Sequence, residues 1–217
     1  MKNFMDPDSR FLDFCQKLNQ CVLSNLLWLA ACIPIFTIGA ATKALYANMQ
    51  ALKSGEPCSA RTFFRAFSQG FGTSTLIWLG IVGVGVALAA DCVILSRLDF
   101  PGVFLLLAVV VFLLLGLVCF SAIAFPLLSQ FPCTARECVT NGILICLANG
   151  PRMLLVTLTN LLPVMLLILF PALFIISGFV WVLFGCAGLA LLNLHTLNKI
   201  FDSLRRREEA PEREEIL

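Results

Sequence analysis

Residues able to do chemistry are few in this chain and do not converge. Ten cysteines and one histidine invite a metal site. Yet Cys32, Cys119, Cys146 and Cys186 lie inside apolar runs, where free cysteine behaves as a small hydrophobe. No Cys-x-x-Cys pair occurs, Cys133 and Cys138 are the nearest polar-flanked pair, and His195 is far from both in sequence. Zinc needs about four convergent ligands, usually arriving as tight local pairs, so no metal, no cofactor and no disulfide framework is expected. Cysteine used this freely suits loops in a reducing compartment. Asp91 sits at the edge of an apolar run, where a carboxylate is ordinarily solvated; the alternative is a proton or ion role. Arg61 and Arg65 lie one helical turn apart and reach toward phosphates. No Walker motif, Gly-x-Ser-x-Gly or buried acid pair accompanies them. An enzyme needs a nucleophile, base or metal held in concert, and the chain reads as non-catalytic.

The elements that would position these residues explain their scarcity. Of 217 residues, 59% are apolar and 13% charged, with a net charge of +2. A soluble domain is about a quarter charged, and no basic field draws this chain to nucleic acid. Uncharged runs cover residues 18–42, 66–90, 100–135 and 153–198, each longer than the roughly 20 residues that cross a bilayer. The expected class is all-α: a polytopic transmembrane helical bundle of about five spans with short interfacial helices. One domain, residues 1–202, contains spans near 22–41, 71–90, 103–125, 152–170 and 172–194; residues 203–217 form a charged, disordered tail. The N-terminus lacks the basic region, short apolar core and cleavage site of a signal peptide, so the first apolar run stays in the mature protein.

Local signals refine that frame. Pro7-Asp8-Ser9 starts a helix whose Phe11, Phe14, Leu18 and Val22 share a face; it reads as an amphipathic surface helix or as the solvated end of the first span. Pro34, with Thr37 and Gly39 beyond it, marks a bent or broken segment, either a packed kink or a break lining a polar cavity. Leu45, Met49 and Leu52 share one face, and Gly55-Glu56-Pro57 ends that helix. Ser59 caps a short helix in which Phe63, Phe64, Phe67 and Phe71, with Arg61 and Arg65, form an interfacial anchor or a partner-docking surface. Gly80, Gly83 and Ala87 give the second span a stripe for close helix contact, and Gly185 and Gly188 do the same for the last. Pro126 and Pro132 bracket an exit from the membrane. Residues 134–149 lie in the interface plane and end at Asn149-Gly150-Pro151. Phe170-Pro171 turns the last long run back on itself, because 46 residues as one helix would reach about 69 Å.

Five spans with a cytoplasmic C-terminus put 11 Lys and Arg inside and four outside, so the N-terminus is expected outside. A re-entrant hairpin at Pro34 would instead return the N-terminus inside and leave only Arg97 external, a split of 14 to 1.

Asn25-Leu26-Leu27-Trp28, Ile33-Pro34-Ile35-Phe36-Thr37-Ile38-Gly39-Ala40-Ala41-Thr42 and Ala44-Leu45-Tyr46 together resemble the opening signature of the YesL family of small bacterial integral membrane proteins, catalogued as a domain of unknown function. Gly55-Glu56, Phe63-Phe64-Arg65-Ala66-Phe67 and Ala148-Asn149-Gly150-Pro151-Arg152 are similar to its later landmarks, and the resemblance runs over about residues 10–202. It implies a helical bundle in the bacterial cell membrane without established chemistry. It also implies an accessory role beside ATP-driven carbohydrate uptake transporters, because such proteins are often encoded next to them. Expected partners are membrane lipids, with permease subunits or a second copy of the chain. The alternative, a self-contained small-solute transporter or channel, would want intramembrane charges or an inverted repeat; Asn25, Thr157, Asn160, Ser177 and Asn193 are only scattered polar groups.

Overall fold

The computed structural model describes residues 7–56, 58–98 and 101–214, and every regular element among them is helical. Helix α1 (Pro7–Ala31) stops three residues before Pro34; a 3-10 turn (Ile35–Thr37) follows, and α2 (Ile38–Lys53) starts directly. Three residues make this break. Pro34 has no N–H to continue the helix. The Thr37 hydroxyl lies 2.5 Å from the Ala31 carbonyl and 2.6 Å from that of Pro34, meeting oxygens the broken helix leaves free. Gly39 is where α2 touches α4 (Phe71–Leu95): a Cβ there would sit 2.5 Å from the Ser74 carbonyl oxygen and 2.6 Å from Trp78 Cβ. The Trp78 indole N–H closes the turn by donating to the Ile35 carbonyl at 2.9 Å.

Beyond the break the chain doubles back. The Trp28 indole donates to the Thr42 hydroxyl at 3.2 Å and the Asn48 amide to the Ser24 hydroxyl at 3.2 Å. Partners with falling and rising numbers make α1 and α2 an antiparallel pair. Residues 22–41 are therefore not one crossing helix, as their hydropathy suggests, but the two arms of a hairpin with an apolar tip. Ile33 there is 81% exposed.

Four helical runs among the described residues are long and apolar enough to cross a membrane: Phe71–Leu95, Val103–Gln130, Gly150–Leu169 and Gly178–Ser203. The chain is an all-helical, polytopic membrane protein, with four such spans where five are expected. Gly102, at φ 100°, turns α4 into α5 (Val103–Gln130). Helix α5 continues through Pro126 rather than ending there, because residues 122–127 are buried against neighbouring helices that hold the turn in place.

The connecting helices begin as their caps dictate. In α3 (Ala60–Ser68) Ser59 and Thr62 form a reciprocal capping box; in α6 (Ala135–Ala148) Thr134 and Glu137 do the same. The Thr134 N–H holds the exposed Glu137 carboxyl below the usual carboxylate range. Gly142 lets α6 cross α5, since a Cβ would meet Phe120 Cε2 at 2.7 Å. Helix α7 (Gly150–Leu169) carries Pro151 in its first turn and Pro163 within it.

The chain after Phe170, which includes the last span, is assembled from pieces: α8 (Pro171–Ile176), α9 (Gly178–Val180), a π turn (Trp181–Gly185) and α10 (Cys186–Glu214). The backbone of the charged tail stays helical to Glu214, where its composition suggests disorder. Helix α2 runs parallel to α10, pairing Tyr46 with Asn193 and Gln50 with Asn198. Helix α1, antiparallel to α2, thus begins at the end of the bundle where α10 finishes. The expected external N-terminus rests on a fifth crossing, and the hairpin stands in the place of that crossing.

Candidate functional site

Helix α2 is the polar spine of the molecule. Successive polar side chains leave it toward different neighbours. Tyr46 Oη accepts from the Asn193 amide of α10 at 3.2 Å, and the same amide donates to Asn160 Oδ1 of α7 at 3.0 Å. Asn48 accepts from the Thr62 hydroxyl of α3 at 3.1 Å, while its carbonyl takes the Cys58 thiol at 2.9 Å. Gln50 accepts from the Asn198 amide at 3.1 Å, and the Lys53 amine donates to the Leu194 carbonyl at 3.2 Å. Buried polar groups must find partners. One atom of this set, Asn193 Oδ1, has none among the described residues.

A second polar plug sits higher in the bundle. Asn25 of α1, 1% exposed, meets the π turn of the last span. Its amide donates to the Val182 carbonyl at 2.7 Å, and its oxygen accepts from the Ala187 N–H at 2.9 Å. One carboxamide therefore satisfies both groups that the widened turn leaves apart.

Where α2, α3, the start of α4 and the end of α5 converge lies a cavity of about 630 Å³. Lys43, Asn48, Thr62, Arg65, Gln69 and Ser74 are on its wall. Lys43 is 5% exposed and its amine donates to the Gln69 carbonyl. Burial pushes that amine below its ordinary value, and no carboxylate offsets the effect. Ala47 and Ala51, one and two turns on, leave the open space beside it. Gly70, at φ 59°, turns the chain into α4 next to the amine; a Cβ there would lie 3.7 Å from Lys43 Nζ. The first turn of α4 adds the positive end of a helix to the same wall. Glu56 is the one carboxylate on the lining, and it is exposed.

Residues 21–92 match the family model described as protein of unknown function, DUF624. No curated protein and no solved structure matches the chain. The DUF624 match takes in the α1–α2 hairpin, α3 and most of α4, and with them most of the cavity wall, but not Ala148-Asn149-Gly150-Pro151-Arg152.

Against this geometry the sequence-expected residues divide. Pro34, Thr37 and Gly39 form the break. Phe63 belongs to the core, 0% exposed and stacked on Phe67, so it has no free face to anchor or dock. Phe64, Arg61 and Arg65 are exposed, and Phe67 and Phe71 are half-buried, their rings 5.4 Å apart. Gly80 and Gly83 face open space, with nothing within 4 Å of an added Cβ, and Ala87 is exposed. The α4–α5 contact uses Gly85 instead, where an added Cβ would lie 3.4 Å from Leu117. Gly188 is likewise open, while at Gly185 an added Cβ would lie 2.6 Å from the Trp181 ring of the same π turn. Asp91 and His195 are exposed and outside the cavity. Cys119 and Cys146 bring their sulfurs to 3.7 Å as free thiols.

Lys43 is the cavity-lining residue that reasoning from the sequence passes over. Its signal is a single cation flanked by Ala40, Ala44 and Ala47 at helical spacing.

Proposed function

We propose that the protein is a non-catalytic membrane-embedded accessory subunit, of the YesL type, serving an ATP-driven carbohydrate uptake transporter in a bacterial cell membrane. The partner reading rests on the small-residue stripe of α4. Gly80, Gly83 and Ala87 recur at helical spacing; among the described residues nothing lies within 4 Å of an added Cβ at either glycine, and Ala87 is exposed. Such stripes let two membrane helices approach closely, and a helix of another subunit fits them better than mobile lipid does. The transporter itself comes from the family resemblance. The same reading takes both chain ends as cytoplasmic. The hairpin returns α1 to the end where α10 finishes, and Arg97 alone of the 15 Lys and Arg then lies on the far side.

Purification from native membranes in mild detergent tests this. Permease subunits are expected to co-purify, and Gly83→Leu with Ala87→Leu to abolish their recovery while the protein still folds. Unchanged recovery in the double variant overturns the docking surface. The polar cavity favours a second reading, a self-contained solute carrier; its lining is confined to one end of the bundle. Solute flux through liposomes containing the purified chain alone would establish the carrier and remove the accessory role.

A further inference from the structure

The cavity at the α2–α3–α4–α5 junction contains a buried cation without a carboxylate partner among the described residues. A buried charge is ordinarily paired, because desolvating it without a partner is expensive. Lys43 has a single backbone carbonyl as its partner among the described residues, and two of its three N–H bonds remain for something else. Two further contributions to the wall have the same sign, against the single exposed carboxylate of Glu56. Arg65 lines the cavity with an exposed side chain, and the first turn of α4 presents amides with no helical acceptor. Asn48, Thr62 and Ser74 add amide and hydroxyl groups without charge.

We propose that this cavity binds an oxyanion, a phosphate or carboxylate carried by a small polar molecule, with Lys43 as the buried contact and Arg65 as the contact at the mouth. About 630 Å³ accommodates more than a bare ion, and it lies within the range usual for small-molecule sites. The uncharged polar groups then meet the hydroxyls of the remainder. Two sources have this chemistry: a soluble phosphorylated or acidic solute, and an anionic lipid headgroup reaching in from the bilayer. The site stands apart from the α4 stripe, so losing the partner reading leaves it intact.

Isothermal titration of the purified full chain in phosphatidylcholine nanodiscs tests it, with inorganic phosphate, glucose 6-phosphate and glucose as probes. The expected result is binding of glucose 6-phosphate, with Lys43→Met weakening it about tenfold or more and Lys43→Arg retaining most of it. Glucose should show no dependence on residue 43. A parallel arm adds phosphatidylglycerol to the discs and reads lipid retention by native mass spectrometry. Retention that Lys43→Met abolishes, with no soluble probe bound, assigns the oxyanion to a headgroup and equally supports the site. Should Lys43→Met fail to fold, Arg65→Gln alters an exposed side chain and is expected to weaken either ligand several-fold. No oxyanion bound from either source, or binding indifferent to both substitutions, overturns the proposal.

Discussion

Lys43 is better explained by what it binds than by what it stabilises. If the amine serves a ligand, Lys43→Met should make the ligand-free protein more stable, since a thioether of similar length fills the site without a desolvated charge. A rise in Tm of about 2–4 °C, the shift that 1 kcal/mol gives a chain of this size, is the expected outcome of a thermal melt near neutral pH. The sign of the pH dependence follows from burial, which sets the folded pKa of Lys43 below the ordinary 10.5. Between those two values the unfolded chain holds more protons, so wild-type stability rises with pH there, and below the folded value the cost is paid in full. The gap between Lys43→Met and wild type should therefore be widest at neutral pH and narrow toward 10.5. Arg65 and Glu56, the other charged groups on the wall, are unchanged in the comparison. A lower Tm for Lys43→Met at neutral pH would make the lysine structural. None of this is visible in the sequence, where Lys43 looks like the first loop residue after an apolar run. Asn25 and Asn193 are hidden in the same way: a lone amide in an apolar stretch does not reveal that it spans a π turn or joins three helices.

At the scale of elements, glycines that look equivalent in sequence do opposite things. At Gly39 an added Cβ collides with a backbone oxygen of α4, which cannot swing aside; at Gly80 it meets nothing within 4 Å. Gly39→Ala is expected to destabilise the protein by about 1–3 kcal/mol. Gly80→Ala should leave the isolated chain's melting temperature unchanged or slightly higher. Thermal unfolding of the two variants in one detergent gives the comparison, and equal shifts would contradict the α2–α4 contact. Helix ends were legible wherever a cap or proline acts locally: Ser59, Thr134 and Phe170-Pro171 all lie where the chain starts or turns. The hairpin was not, because hydropathy counts apolar residues without regard to direction. Twenty residues that cross and twenty that enter and return have the same sum. Pro126 misleads for the converse reason, since burial between helices keeps its turn intact.

For the whole molecule, class was readable from composition, while the path of the chain depended on one turn. With four crossings and a hairpin, reporter fusions at the N-terminus and the C-terminus should both report the cytoplasm; an external N-terminus would restore a fifth crossing. The core follows the same asymmetry. The large buried side chains Phe63, Met49, Met153, Ile200 and Phe201 gather where the chain ends and loops meet. The far stretches of α4 and α5 are instead apolar on the outside, as at Phe104 and Phe112.

The hairpin also determines the protein's outline. At one end of the bundle α1, α2, α3 and α6 crowd around the four crossing runs; at the other, among the described residues, only the short α8 joins them. Set in a bilayer, a body broader at the first end would displace more lipid from one leaflet than from the other. Many copies side by side would then expand that leaflet and bend the sheet toward it.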